Sequence, residues 1–272
     1  MAARLGSLVA RTRSATARTV ERFQQISPVE AAIRLAAQAF LAALPLLLVV
    51  AAFAPGAVHD LMTDSLRSIL GVPSDLIADA RRSYTDSGAV KNSSGALGVL
   101  VALVSATAMS RALQAVCERC WRLPKAGARV SAWRWLVWLV VWLVLLFAQA
   151  PLHRGFGAGP AVGCVLSLLT SVLLWWWTQH LLLCGRIGWW PLLPGAVLTG
   201  TGMVALSYVS PLVMPKAMER SYGEFGPLGP VFTLLSWLIT AFMVAVTGLA
   251  VGESLATSAW YGRLTARFTR RG

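Results

Sequence analysis

The chain has 272 residues, of which 57% are hydrophobic and only 13% charged, and its mean hydropathy is +0.65. A soluble domain carries roughly 45–50% apolar and ~25% charged residues, so this chain has too little polar side chain to wet a globule of its size. A soluble enzyme, a disordered chain and a disulfide scaffold are excluded, and an integral membrane protein remains. The net charge of +13 would point to nucleic acid in a soluble protein, but here the charges lie between apolar blocks.

Residues 1–30 are rich in Arg, Ala, Ser and Thr, with Leu5, Leu8, Val9 and Val20 spread thinly among them. They hold no apolar run of signal-peptide length, so no cleavage is expected. A frayed helix on the inner membrane surface is expected; an organellar transit peptide, which shares the acid-poor composition, is the alternative. Six apolar blocks follow, at about Ala31–Phe53, Gly95–Ser110, Trp135–Ala150, Ala158–Leu183, Pro191–Met214 and Pro227–Val251. A spanning helix needs roughly 17–25 residues, and none of the blocks alternates with the period of two that a β-barrel requires. The expected fold is all-α: a polytopic bundle of six transmembrane helices over residues 31–256, followed by a basic tail at 257–272. Between the first two spans, Leu61, Met62, Leu66, Ile69 and Leu70 fall near a helical period, before a restart at Pro73-Ser74-Asp75. One or two short amphipathic helices are expected there across the outer mouth, as a lid or as lateral packing.

An even number of spans puts both termini on one side. On that side lie 17 Lys and Arg: six up to Arg34, six from Arg111 to Arg134, Arg186, and four in the tail. The other side carries seven, balanced by seven acids. The side with 17 is therefore cytoplasmic, with both termini inside. The inward net charge faces an anionic leaflet, which attracts basic flanks by ~1 kcal/mol per residue. Membrane lipids, anionic head groups above all, are the expected partners; nucleic acid is not needed, and self-association into a homo-oligomer is left open.

Chemistry is sparse. Cys117-Glu-Arg-Cys120 is a lone CxxC, and a zinc ribbon needs a second pair. On the reducing side these thiols are read as neighbours on one helix face. His59, His153 and His180 lie in three separate segments, and no hydrolase, P-loop or dinucleotide motif occurs. No catalytic residue, metal or cofactor is assigned; the chain is read as a non-enzyme, and any transport as secondary or facilitated. Ionisable groups at membrane depth are the better lead. Arg34 and Gln38 lie just inside the first span, Arg111 ends the second and Glu253 ends the sixth, all towards the cytoplasm. They are candidates for a shared substrate-binding site, against snorkelling or a purely structural clamp. Small residues Ala241, Ala245, Gly248, Gly252 and Ala256 form a stripe that admits a close neighbour. The fifth span, with Pro194, Gly195, Gly200 and Gly202, is expected to bend or break. The twelve tryptophans, Trp175-Trp176-Trp177 included, are read as an interfacial belt.

Five short motifs occur in order: Ala39-Phe-Leu-Ala-Ala-Leu-Pro-Leu-Leu-Leu48; Ser105-Ala-Thr-Ala-Met-Ser-Arg-Ala-Leu113, leading to Trp133-Arg134; Leu193-Pro-Gly-Ala196; Phe225-Gly-Pro-Leu-Gly229 with Trp237; and Gly252-Glu253. Over residues 25–256 the chain resembles the YihY/BrkB family of bacterial inner-membrane proteins. The resemblance implies a six-helix membrane protein and, by analogy with some members, export of a lipid or lipid-linked envelope precursor. It also brings the historical label ribonuclease BN, which this sequence does not support because it has no nuclease-like metal cluster. The rival expectation is a non-transporting scaffold for envelope assembly. The family supplies no agreed catalytic residues. Ser221-Tyr-Gly-Glu224 and the CxxC depart from its commoner pattern.

Overall fold

The computed structural model describes residues 27–53, 94–153 and 159–258. They form six helices: α1 (Pro28–Phe53), α2 (Ser94–Cys120), α3 (Ala128–His153), α4 (Pro160–Leu182), α5 (Trp189–Phe225) and α6 (Gly229–Ala256), with a 3-10 turn at Gly226–Leu228 between the last two. The described fold is all-α, and the six expected spans fall one to a helix. The amphipathic outer helices expected before Ser94, the surface helix before Ser27 and the tail beyond Ser258 lie outside the described residues. Among the described residues three helices are long and apolar enough to cross a bilayer, Ala161–Leu182, Trp189–Phe225 and Gly229–Ala256; Trp133–Leu145 is a shorter apolar stretch.

Neighbours in sequence are neighbours in space. α1 packs on α2, α3 on α4, α4 on α5 and α5 on α6; α6 returns to α1, and α2 touches α3 to close a ring. The surface is inverted relative to a soluble bundle. On α4, Val162, Val165, Leu169 and Leu173 face outward, while Ser167, Thr178 and Gln179 are buried. Apolar side chains outside and polar ones inside suit a hydrocarbon solvent.

Helices in lipid gain little from burying apolar side chains against each other, so close backbone packing must hold them. The α5–α6 pair does this through small residues. A Cβ on Gly252 would sit 2.1 Å from the Cα of Gly195, and one on Gly248 2.9 Å from the Cα of Thr199. One turn further along, Gly202 faces Val244. On its other side α5 meets α4, where a Cβ on Gly200 would strike the Val172 backbone and Ser171 donates to the Gly200 carbonyl at 3.1 Å. The small-residue stripe read from the sequence is thus one half of a two-sided seam.

Two expectations are corrected. α5 does not break: it is a continuous 37-residue helix with Pro194, Pro211 and Pro215 inside it. At a rise of ~1.5 Å per residue it is ~55 Å long, well beyond a ~30 Å hydrocarbon core. At Pro194 the α6 backbone lies directly against it, where Gly252 abuts Gly195. The break comes instead at the following turn, where Gly226 has φ +60° and a Cβ on Gly229 would collide with the Ser221 carbonyl. The Ser221 hydroxyl donates to the Gly229 carbonyl at 2.8 Å and pins that turn. Second, Trp175 is not in a belt: it is buried between α3 and α4, edge-on to Trp142 at 5.6 Å. Trp133, Trp189 and Trp190 do remain at the surface. α2 runs on past its apolar stretch to Cys120, the continuing helix expected for the CxxC pair.

Gly252→Val should destabilise the fold by roughly 1–3 kcal/mol, the range for overpacking, because the obstacle is backbone and cannot rotate away. Gly223→Ala, which meets nothing within 4 Å, should be near neutral by the same detergent-unfolding measurement.

Candidate functional site

The ends of α2 and α4 and the beginnings of α1, α3 and α5 gather at one end of the ring, together with the end of α6. Arg186, in the α4–α5 turn, reaches Glu118 on α2, Arg134 on α3 donates to the Leu181 carbonyl of α4 at 3.2 Å, and Gly252 of α6 abuts Gly195 of α5. This end holds two polar assemblies of different character.

The first is a closed knot around Glu118, whose side chain is 6% exposed. Its Oε1 accepts from the Gln114 amide at 3.0 Å, from the Ala126 N–H at 2.9 Å and from the Arg186 guanidinium. Gln114 in turn accepts from the Trp135 indole at 2.6 Å. Arg186 also donates to the carbonyls of Leu183 and Pro124. One carboxylate therefore ties α2, the loop to α3, and the α4–α5 turn, where Cys184 and Gly185 both have positive φ. The buried charge is matched by a guanidinium and by hydrogen bonds, as such a charge must be.

The second is an open cavity of about 290 Å³ between α1 and α2, lined by Ala31, Arg34, Leu35, Gln38, Ala108, Arg111, Ala112, Ala115, Val116 and Arg119. Short side chains on facing helices leave the space. The arginines border it because α2 presents Ala108, Arg111/Ala112, Ala115/Val116 and Arg119 at spacings of three and four, on one face. Arg34 pairs with Glu30 at 2.9 Å, both side chains being more than half exposed, so the pair is worth little. Arg111 lies over the Trp135 ring with its guanidinium carbon 5.8 Å from the centroid. Among the described residues no acid pairs with Arg111 or Arg119. The Gln38 Oε1 is buried and has no hydrogen-bond partner among them, a deficit of roughly 1–3 kcal/mol.

Of the residues singled out in the sequence, Arg34, Gln38 and Arg111 come together around this cavity. Glu253 is not in its lining; it lies near Cys120, whose thiol it helps to raise. Arg119 and Glu118 were missed as site residues. The signal for Arg119 was its place on the alanine stripe of α2, and that for Glu118 was Gln114 one turn before it.

Cys117 and Cys120 lie beyond Ser110, where the apolar stretch of α2 ends, and are 2% and 4% exposed. They belong to the core packed between α2 and its neighbours. Burial pushes both thiols up, with Cys120 reaching about 12, helped by the Glu253 carboxylate. Among the described residues no group of three His, Cys, Asp or Glu side chains converges.

Because the raised thiols stay protonated at pH 8, Cys120 should hold about a thousandfold less thiolate than an unperturbed cysteine. Iodoacetamide should leave Cys117 and Cys120 unmodified in the native protein, and label both in denaturant, as read by mass spectrometry. Glu118→Gln should cost on the order of 2 kcal/mol, the buried-pair figure reduced because Arg186 is partly exposed and keeps two carbonyl partners. A detergent-unfolding midpoint, compared with Arg186→Gln and the double variant, reads the coupling.

Several of the short motifs of the sequence now have places. Ser105–Leu113 carries part of the α2 wall of the cavity, Leu193–Ala196 and Gly252 form the α5–α6 contact, and Phe225–Gly229 is the pinned turn. No curated protein and no solved structure matches the chain. A family model described as virulence factor BrkB matches residues 19–267, almost the whole length and in agreement with the resemblance carried by those motifs. The chain belongs to the virulence factor BrkB family.

Proposed function

We propose that the chain is a six-span protein of the bacterial cytoplasmic membrane, with both termini inside, that binds an anionic head group and moves a lipid or lipid-linked envelope precursor between leaflets. The observation that carries this is the cavity bordered by Arg34, Arg111 and Arg119 at the arginine-rich end. Guanidiniums hold phosphate through a planar fork, and Ala31, Leu35, Ala112 and Val116 supply an apolar wall beside them. Gln38 offers a buried acceptor to a hydroxyl. The excess of 17 Lys and Arg over seven supports the orientation, which sets the cavity at the cytoplasmic leaflet. The role is non-enzymatic: binding and passage need no bond to break.

A second reading, a scaffold for envelope assembly, draws on a specific observation. The α4–α5–α6 half is packed backbone against backbone at Gly195, Gly200 and Gly252, which suits a rigid platform.

A scrambling assay separates them. Purified protein in liposomes should expose fluorescent lipid to an external quencher faster than empty vesicles do. Arg111→Gln should slow it about tenfold, which is ~1.4 kcal/mol of lost head-group binding; Arg111→Lys should slow it less. Vesicles that scramble no faster than protein-free ones, with protein folded and inserted, select the scaffold.

A further inference from the structure

The charges around the α1–α2 cavity do not balance. Three guanidiniums border it, Arg34, Arg111 and Arg119, and the acid among the described residues that pairs with any of them is Glu30, with Arg34. Two positive charges are left over. Guanidinium does not deprotonate in proteins, so this excess persists at any physiological pH, and because Arg111 and Arg119 are exposed it can draw an anion from outside into the cavity. The guanidinium carbon of Arg111 lies over the Trp135 ring, 5.8 Å from its centroid, a cation–π contact that uses none of its N–H donors. Arg119 stands eight residues on, ~12 Å along the helix. Ala112, Ala115 and Val116 lie between the two, with Arg34 opposite on α1.

We infer that this cavity takes a dianionic phosphate, a terminal monoester or diphosphate, and discriminates against the monoanionic diester of ordinary bilayer lipids. A terminal phosphate carries about −1.5 to −2 charges near neutral pH and neutralises the excess; a diester carries one and leaves a guanidinium unmatched. At about 290 Å³ the cavity is at the small end of ligand pockets: it admits a head group, and acyl or prenyl chains stay outside against the helices. The inference rests on the proposed reading of the cavity as a head-group site, and it assigns Arg119 a specificity role.

The test is equilibrium binding to the full-length protein in nanodiscs of zwitterionic lipid, with dioctanoyl phosphatidic acid and dioctanoyl phosphatidylglycerol as probes. Phosphatidic acid should bind at least tenfold more tightly. Arg119→Gln and Arg111→Gln should remove most of that preference, whereas Lys125→Gln, on an exposed loop residue outside the cavity, should keep it. Inorganic phosphate that competes as well as phosphatidic acid identifies a free phosphate as the ligand, and phosphate that fails to compete identifies the lipid; either supports the dianion grip. Equal binding of the two lipids, or a preference unchanged in Arg119→Gln with an unaltered unfolding midpoint, overturns it. Scrambling is read on the same preparations. Dianion preference without scrambling leaves this inference and removes the transport reading; scrambling without preference does the reverse.

Discussion

The backbone of α5 rests directly on the backbone of α6, and the other helices take their places from that contact. Lipid tails are as apolar as leucine, so a membrane helix gains little by hiding leucine from them. What it gains comes from dispersion contacts at short range, which fall away steeply with a gap of even half an ångström. Gly195 against Gly252 and Thr199 against Gly248 remove the side chains that would hold the helices apart. With that seam fixed, α4 is set against α5 at Val172 and Gly200, and α1 against α6. Turn and seam reinforce one another, because Gly226 and Gly229 allow the chain to reverse with no slack between the long helices.

The arginine-rich end shows how the same residue type can be structural or available. Arg186 spends its donors on Glu118 and on two carbonyls and so becomes a clamp across three segments. Arg111 and Arg119 lie only a few residues from Glu118 on the same helix, but on the face turned towards α1, where no carboxylate among the described residues meets them. The knot fixes the end of α2, and that fixity presents the two arginines to the cavity at a set spacing. Preorganised donors bind an anion without first being ordered, which is where much affinity is otherwise lost.

The two halves of the ring differ accordingly. Around α5 and α6 the interior is filled by glycine contacts and by buried Thr199, Val246 and Leu249. Between α1 and α2 alanines leave room. The closed half gives rigidity, and the open half holds the polar groups that a ligand can reach.

Much of this was legible in the sequence. Composition alone required a hydrocarbon environment, block length gave the helices, and the spacing of Gly248 and Gly252 announced a close contact. Arg34, Gln38 and Arg111 could be singled out because charge near an apolar block is costly. The family followed from motifs whose glycines and prolines serve local backbone geometry, which a sequence records directly. Other features depend on which residues meet across helices. Pro194, Pro211 and Pro215 read as a break, yet α5 stays continuous because tertiary packing overrides local propensity. Trp175 read as interfacial and is core, since it packs on Trp142, itself against Trp138, on another helix. Glu118 reads as one more surface acid until the fold brings Arg186 to it from 68 residues away. The sequence by itself determined solvent, secondary structure and family, all set by short-range chemistry along the chain. Tertiary structure alone decided which arginines are neutralised and which border an open cavity, because pairing depends on distances between helices that no periodicity encodes.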